Sequence, residues 1–363
     1  MPRTKIGTLE AIMLILSVVI IHTIFSLPRN ILITTKSATI INLIYVGIIA
    51  IIIAFLIFKL FKKFPGIDII DISEIIGGRA FKNIVGFIFI AYFVASSGIF
   101  LRNGCEWLKI VYYPTTDITF ILLTFIIAIC ITNTLKSNAT LKTNLLVVPV
   151  VLLGIIFLFT TNIKNFTPQK IFPILGDGLF NTFITGLGNL ASFGGIIYLY
   201  FIPPYLEKPE KFKNIAIISI GASAIYLILA VSTILFMFSS FIIADEISPL
   251  YSATRYIEFG NFFQRLESIF LLFWILAFAC YLSIVLKFLI NIFKKITNIR
   301  TEKPLINLFG LLMFSVSLIP KSSTSTQDFE TNIYPYLVFG VVFGLGISIL
   351  LIANIQKKFK NKK

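Results

Sequence analysis

Charged residues divide the chain into long apolar stretches. Cutting the sequence at every Asp, Glu, Lys and Arg leaves ten long charge-free runs. A membrane-spanning helix needs ~20 apolar residues, so each run predicts one transmembrane helix. The runs cover residues 11–28, 37–58, 83–101, 118–135, 143–163, 178–206, 214–244, 268–286, 304–320 and 331–356.

The first run does not have the pattern of an uninterrupted helix. Within Ala11–Ile33, polar side chains occur in the middle of the apolar stretch and are followed by Pro28. We therefore predict that the helix is broken near Ile21–Ile24. Backbone groups freed inside a membrane must be satisfied by protein, water or a ligand, so irregular backbone there normally lines a cavity. The break predicts a binding site that includes His22 and Thr23.

A second interrupted run follows about half a chain later. Residues 180–204 are apolar apart from Ser192 and several glycines, among them Gly194 and Gly195. Paired interrupted spans are typical of inverted-repeat transporters with a midplane site. Close helix packing is the alternative explanation for the glycines. Phe193, beside the pair, is a candidate to stack on a ligand.

The predicted fold is an all-α integral membrane protein of the leucine-transporter-like type. Its ten helices form a five-plus-five inverted repeat, with helices 1 and 6 broken at the midplane. Loops are short, so residues 1–363 form a single membrane domain. The first repeat is expected at about 8–163 and the second at about 176–319, with a tenth helix at about 331–356 completing the set.

Composition agrees with a protein embedded in a lipid bilayer. Hydrophobic residues make up 57% of the chain, charged residues 13%, and the mean hydropathy is +0.96. No soluble core hides so much apolar surface. Most of the 31 basic residues fall in alternate loops and the C-terminal tail, which predicts that both termini are cytoplasmic. This topology accounts for the net charge of +15, and no nucleic-acid recognition motif accompanies it.

Ionisable and polar groups inside the spans are the candidate site residues. His22 is the first of these, with interhelical hydrogen bonding as the alternative. Tyr92, Ser96 and Tyr281 extend the candidate cavity, although single polar residues often only join helices. A sole histidine and the absence of catalytic or metal motifs argue against an enzyme, a metal site or a cofactor.

Two further charged pairs are assigned structural or gating roles. Arg102 and Glu106 lie four residues apart and can pair on one helix face. Arg265 and Glu267 lie at the outer start of the eighth span, where interfacial anchoring is the alternative. Pro28 belongs to the same structural group because it follows the predicted break.

Four segments carry a family resemblance that covers nearly the whole chain. The chain resembles the spore germination permease family, the B subunit of bacterial nutrient germinant receptors, within the amino acid/polyamine/organocation superfamily. The segments are Ser26–Arg29, Pro65–Gly78, Pro203–Asn214 and Ile257–Trp274.

The resemblance implies a function in the endospore inner membrane, together with an A subunit and a lipoprotein C subunit. A small nutrient, often an amino acid, would bind between the first, third, sixth and eighth spans and trigger germination. The ligand region would include Ile21, His22 and Thr23, with Ser192–Gly195 opposite. At 21–23 the family commonly has small residues, so the larger side chains here change the pocket. An ion-coupled amino acid permease and a structural membrane scaffold are the alternative functions.

Overall fold

Helices make up nearly all of the chain in the computed structural model, which describes residues 5–135, 139–239, 242–243, 246, 248–257, 266–299 and 301–360. Short turns of 3₁₀ helix connect several of them. The helices are α1 (Thr8–Thr23), α2 (Leu27–Thr35), α3 (Thr39–Phe61), α4 (Ile69–Tyr112), α5 (Ile118–Thr134), α6 (Ala139–Thr161), α7 (Phe180–Tyr200), α8 (Phe212–Met237), α9 (Pro249–Thr254), α10 (Leu266–Thr297), α11 (Lys303–Ser317) and α12 (Ser323–Lys358).

Among the described residues, 7 helical stretches are long and apolar enough to cross a membrane, and α1, α5 and α11 are shorter apolar helices. Together they occupy the positions of the predicted runs, which confirms the all-α membrane fold. The number of crossings stays a prediction because three of the helices are short. The long stretches are Leu27–Phe61, Ile69–Tyr112, Thr140–Thr161, Phe180–Tyr200, Pro209–Met237, Phe270–Thr297 and Ser323–Lys358.

Helix α3 shows how the spans divide between protein and lipid. Ile44, Ile48 and Ile52 lie one turn apart and are 48%, 54% and 61% exposed, whereas Val46 and Ala50 are fully buried. Isoleucines repeated on one exposed helix face would be unfavourable in water. This face is therefore suited to contact with lipid tails.

The packing of the helices is symmetric between the two halves of the chain. Helix α1 packs against α8, and α7 packs against α3. Helix α4 packs against α11 and α12, and α10 packs against α5 and α6. Each of these contacts becomes its counterpart when the first five spans are exchanged with the last five. An inverted repeat requires this correspondence.

The interruption of the first span lies slightly after the predicted position. Helix α1 continues through His22 to Thr23, and the chain turns at Ile24–Ser26 before α2 begins. The predicted break at Ile21–Ile24 is therefore corrected to the turn just before Pro28. Proline fits the first turn of a helix, because it lacks the N–H that would be unpaired there. It thus fixes where α2 starts.

The sixth span is continuous, and its interruption is a change of winding. Helix α7 has wide π-type turns over Phe180–Ile184 and tight 3₁₀ turns over Thr185–Tyr200. Phe193, with φ −90° and ψ 27°, departs from helical geometry and forms a kink. The two halves of the span remain connected through helical turns on both sides of this residue.

Helix α4 begins with the short amphipathic segment predicted before the third span. Gly78, with φ +72°, joins this segment to the long apolar part and adopts a conformation that favours glycine. The Lys295 ammonium on α10 lies 2.5 Å from a carboxylate oxygen of Asp68 and 2.6 Å from one of Asp71. Burial raises the pKa of Asp68, and the ion pair with Lys295 opposes that shift. This cluster fastens the start of α4 to the end of α10.

Candidate functional site

His22 lies in an aromatic enclosure formed by three other helices. Its ring stacks on Phe100 of α4, with ring centroids 3.8 Å apart. The rings of Tyr281 on α10 and Tyr334 on α12 meet it edge-on, at 5.9 and 5.8 Å. The imidazole is buried, and its Nε2 has no hydrogen-bond partner. A buried polar atom without a partner is costly, and ligand binding is one explanation for such an atom.

The two adjacent glycines of α7 bring the sixth span close to this enclosure. A Cβ on Gly194 would lie 2.6 Å from the Tyr334 hydroxyl and 3.6 Å from that of Tyr92. A Cβ on Gly195 would lie 2.8 Å from the carbonyl oxygen of Ile15 on α1. The glycines therefore allow α7 to pack closely against α12 and α1. This arrangement brings Tyr92 and Gly194 together with the His22 enclosure.

Other helices satisfy the groups around the first break. The Thr23 hydroxyl lies 3.1 Å from the Tyr226 hydroxyl of α8 and also donates to the carbonyl of Ile20. The hydroxyl of Ser248, just before α9, donates to the carbonyl of Ile24. The turn thus frees a carbonyl, as expected for a break, and a side chain from the outer loop region donates a hydrogen bond to it.

A buried carboxylate that the sequence did not reveal completes the polar part of the site. Glu330 on α12 is 9% exposed, and its two oxygens accept hydrogen bonds from the Ser26 hydroxyl and from the Asn103 amide, the latter at 2.6 Å. Cutting the sequence at every charge had placed Glu330 outside the tenth span. The signal was a stripe of residues four apart that are all buried: Thr326, Glu330, Tyr334, Val338 and Val342.

Some predicted residues lie apart from the enclosure or bond within their own helix. The Ser96 hydroxyl donates to the carbonyl of Tyr92 at 2.7 Å. The Phe193 ring points toward α3, where a Cβ on Gly47 would be 3.9 Å from its outer edge. Ser192 is buried with its hydroxyl unpartnered, and Ile21 is fully buried.

The predicted pair of Arg102 and Glu106 forms, with 2.7 Å between a guanidinium nitrogen and a carboxylate oxygen. Arg102 also donates to the carbonyl of Ser317 at 3.4 Å. Glu267 is described and lies in the first turn of α10, whereas Arg265 lies outside the described residues. The pairing of Arg265 with Glu267 therefore stays a prediction.

A cavity of about 820 Å³ lies beside the break and is lined by both charged and aromatic residues. Tyr251 and Trp107 line it, with their rings 5.1 Å apart, and Trp107 meets Trp274 at 5.2 Å. Trp274 in turn meets Phe25 of the break at 5.2 Å. We call this cavity the vestibule, and these four rings separate it from the enclosure. Charged residues on its wall are Glu246, Arg255 and Glu267.

Solved structures with a similar fold are transporters by title. The inward-facing conformation of Mhp1 matches with a TM-score of 0.61 and 11% sequence identity, covering 96% of this chain and 76% of that one. A manganese transporter from Eremococcus coleocola matches with a TM-score of 0.50 and 14% identity, covering 95% and 77%. Identities this low show the fold alone, and they confirm the leucine-transporter-like class.

Sequence relatives are spore germination proteins rather than enzymes. Spore germination protein A2 of Bacillus subtilis (strain 168) is 24% identical over 289 residues, which are 78% of each chain. Spore germination protein YndE of the same strain is 24% identical over 369 residues, covering 98% of each. A family model described as "Spore germination protein" matches residues 5–326. The resemblance found in the sequence is thereby confirmed, and the chain belongs to the spore germination protein family of multi-pass membrane proteins.

Proposed function

We propose that this chain is the membrane subunit of a spore nutrient germinant receptor, which binds a small nutrient at the first break and signals germination. The nutrient is an amino acid. The observation that carries the proposal is the buried Nε2 of His22, unpartnered inside an aromatic enclosure at the interruption of the first span. A free nitrogen and surrounding rings offer a small polar ligand both a hydrogen bond and stacking surfaces.

The ligand-binding residues form two groups around the break. Tyr92, Tyr281 and Gly194 border the enclosure directly. Ile21, Thr23, Ser96, Ser192, Phe193 and Gly195 belong to the same helices and position it. Pro28 fixes the turn, and Arg102, Glu106, Arg265 and Glu267 serve structural or gating roles on the outer side.

Binding at this site requires movement, which suits a sensor. Two rings whose centroids are 3.8 Å apart leave no space for a ligand between them. A nutrient that inserts there must displace His22 or Phe100, and therefore binds better to a rearranged state. Differential affinity for two states is what allows a ligand to shift a conformational equilibrium.

The proposed setting is the spore inner membrane, with both termini cytoplasmic and with an A subunit and a lipoprotein C subunit as partners. The distribution of lysine and arginine between alternate loops supports the orientation. The names of the relatives support the spore context. An ion-coupled amino acid permease is the second candidate, because both fold neighbours are transporters.

Deleting the gene in the source organism separates the two candidates. Purified spores are tested for nutrient-triggered germination, and growing cells for amino acid uptake. We expect the deletion strain to lose its response to a particular nutrient while uptake stays normal. Normal germination together with impaired uptake would favour the permease and overturn the receptor proposal.

A further inference from the structure

The carboxylate of Glu330 lacks a cationic partner in its buried position. Both of its hydrogen-bond donors, the Ser26 hydroxyl and the Asn103 amide, are neutral. Across the ranges that the structure describes, no lysine or arginine nitrogen forms a salt bridge with it. Burying an ionised group without a compensating charge is expensive. The site is therefore suited to hold either a proton or a cation.

The nearest arginines along the neighbouring helices are engaged elsewhere. Arg102, next to Asn103 on α4, is paired with Glu106. Arg29 on α2 donates to the side-chain oxygen of Gln327 at 3.0 Å. Neither side chain is free to neutralise Glu330 without breaking an existing contact.

Local backbone structure favours a charged carboxylate at this position. Ser26 immediately precedes α2, so the carboxylate that it contacts lies at the N-terminus of a nine-residue helix. The partial positive charge of a helix N-terminus stabilises an anion. Glu330 itself lies in a π-type turn, Phe329–Ile333, a distortion that is frequent at functional sites.

Glu330 is connected with the His22 enclosure through both chains that form it. Ser26 follows His22 by about one helical turn along the first span. Tyr334 follows Glu330 by about one turn on α12, and its ring reaches His22 at 5.8 Å. A ligand that contacts the imidazole is thus close to the carboxylate by way of Tyr334 or Ser26.

We propose that Glu330 binds the ammonium group of the nutrient, with Ser26 and Asn103 holding the carboxylate in place. This inference rests on the proposed function, whose ligand site it extends, and it defines the ligand class as primary amines. An ammonium has three donors, and the two carboxylate oxygens and the Ser26 hydroxyl oxygen are available acceptors. Glu330 lies beyond the residues matched by the family model, which end at 326.

The test measures binding to the purified full-length chain in lipid nanodiscs. Thermal unfolding is recorded with each proteinogenic amino acid, and the affinity of the most stabilising one is compared with that of its α-hydroxy acid. We expect the amino acid to bind and the hydroxy acid to fail. Glu330→Gln should weaken amino acid binding about 100-fold, or about 2.8 kcal/mol.

Asp328→Asn is the matched control, because Asp328 is an exposed carboxylate on the same helix. Its amino acid affinity should equal that of the wild type. Ser26→Ala serves if Glu330→Gln does not fold, and it should weaken amino acid binding about tenfold through loss of one hydrogen bond to a charged group.

Three results would overturn the inference: no stabilisation by any amino acid, equal binding of amino and hydroxy acids, or an unchanged affinity in Glu330→Gln. A fourth is stabilisation by sodium chloride alone, absent in choline chloride and lost in Glu330→Gln, which would assign the carboxylate to an inorganic cation. Amino acid binding that depends on Glu330, without a germination defect in the deletion strain, would support the inference and overturn the receptor proposal. A germination defect limited to sugars would do the reverse.

Discussion

The two interrupted spans are held in different ways. In the first, side chains from α8, α12 and the region before α9 bond to Thr23, Ser26 and the carbonyl of Ile24. In the sixth, Gly194 and Gly195 allow close contact with neighbouring helices, while the hydroxyl of Ser192 stays unpartnered. The first break is thus stabilised by directional bonds and the sixth by shape.

This difference indicates which span responds to a ligand. Hydrogen bonds can be exchanged for others when a ligand enters, at little net cost, because partners are replaced rather than lost. Close packing has no such alternative, since separating packed helices forfeits contact over the whole interface. We therefore expect the first span to rearrange while the sixth supports it.

The largest effect is expected from filling the contact between α7 and α1. Gly195→Val places a Cβ 2.8 Å from the Ile15 carbonyl, where the backbone has no room to yield. Overpacking of this kind costs about 1–3 kcal/mol or more. Thermal unfolding followed by size-exclusion chromatography measures the loss. Gly188→Ala is the control, because nothing lies within 4 Å of its Cβ; an equal loss there would disprove the packing argument.

His22→Phe separates the stacking of the His22 ring from its nitrogen. A phenyl ring can keep the contact with Phe100 but offers a ligand no hydrogen bond. We expect near-normal stability and a nutrient response shifted at least about tenfold, which corresponds to about 1.4 kcal/mol. Dose–response curves of spore germination give the shift. Unchanged curves in a stable variant would remove His22 from the ligand site.

Ser248→Ala tests the bonds that hold the first break. The substitution removes the hydrogen bond to the Ile24 carbonyl and leaves a buried acceptor unpaired. The cost should be about 1–3 kcal/mol in the free energy of unfolding. If stability falls by no more than in a variant of an exposed serine, such as Ser315→Ala on α11, water replaces the hydroxyl and the bond is unimportant.

Ser192→Ala should have the smallest effect. Its hydroxyl is buried with no partner, so removing it loses no bond and relieves the cost of desolvation. We expect a change between about zero and 1 kcal/mol toward greater stability. A clear loss of stability would show that the sixth span also depends on polar bonds, and the contrast between the two spans would disappear.

Local signals predicted most of the fold. The positions of the helices follow from charge-free runs, and the first break follows from Pro28 and the polar residues before it, within a few residues. The exact turn differed because Thr23 satisfies its hydroxyl on the carbonyl of Ile20 and so stays helical. Such a bond depends on a rotamer that the sequence does not specify.

Long-range contacts were beyond the sequence. Glu330 belongs to the site because Ser26 and Asn103, both far away along the chain, approach it when α12 packs on α4. Phe193 was predicted as a ligand contact from its neighbours in sequence, but its ring is directed toward α3. Direction of a side chain on a kinked helix depends on tertiary packing, which a single sequence does not reveal.

The ion cluster of Lys295 with Asp68 and Asp71 determines which part of the receptor stays still. It ties α4 to α10, the two helices that carry Phe100 and Tyr281. Two walls of the enclosure therefore behave as one rigid frame, while His22 and Tyr334 are attached to other helices. Ligand entry would then act as a wedge, driving the first span and α12 away from that frame and converting nutrient binding into displacement across the membrane.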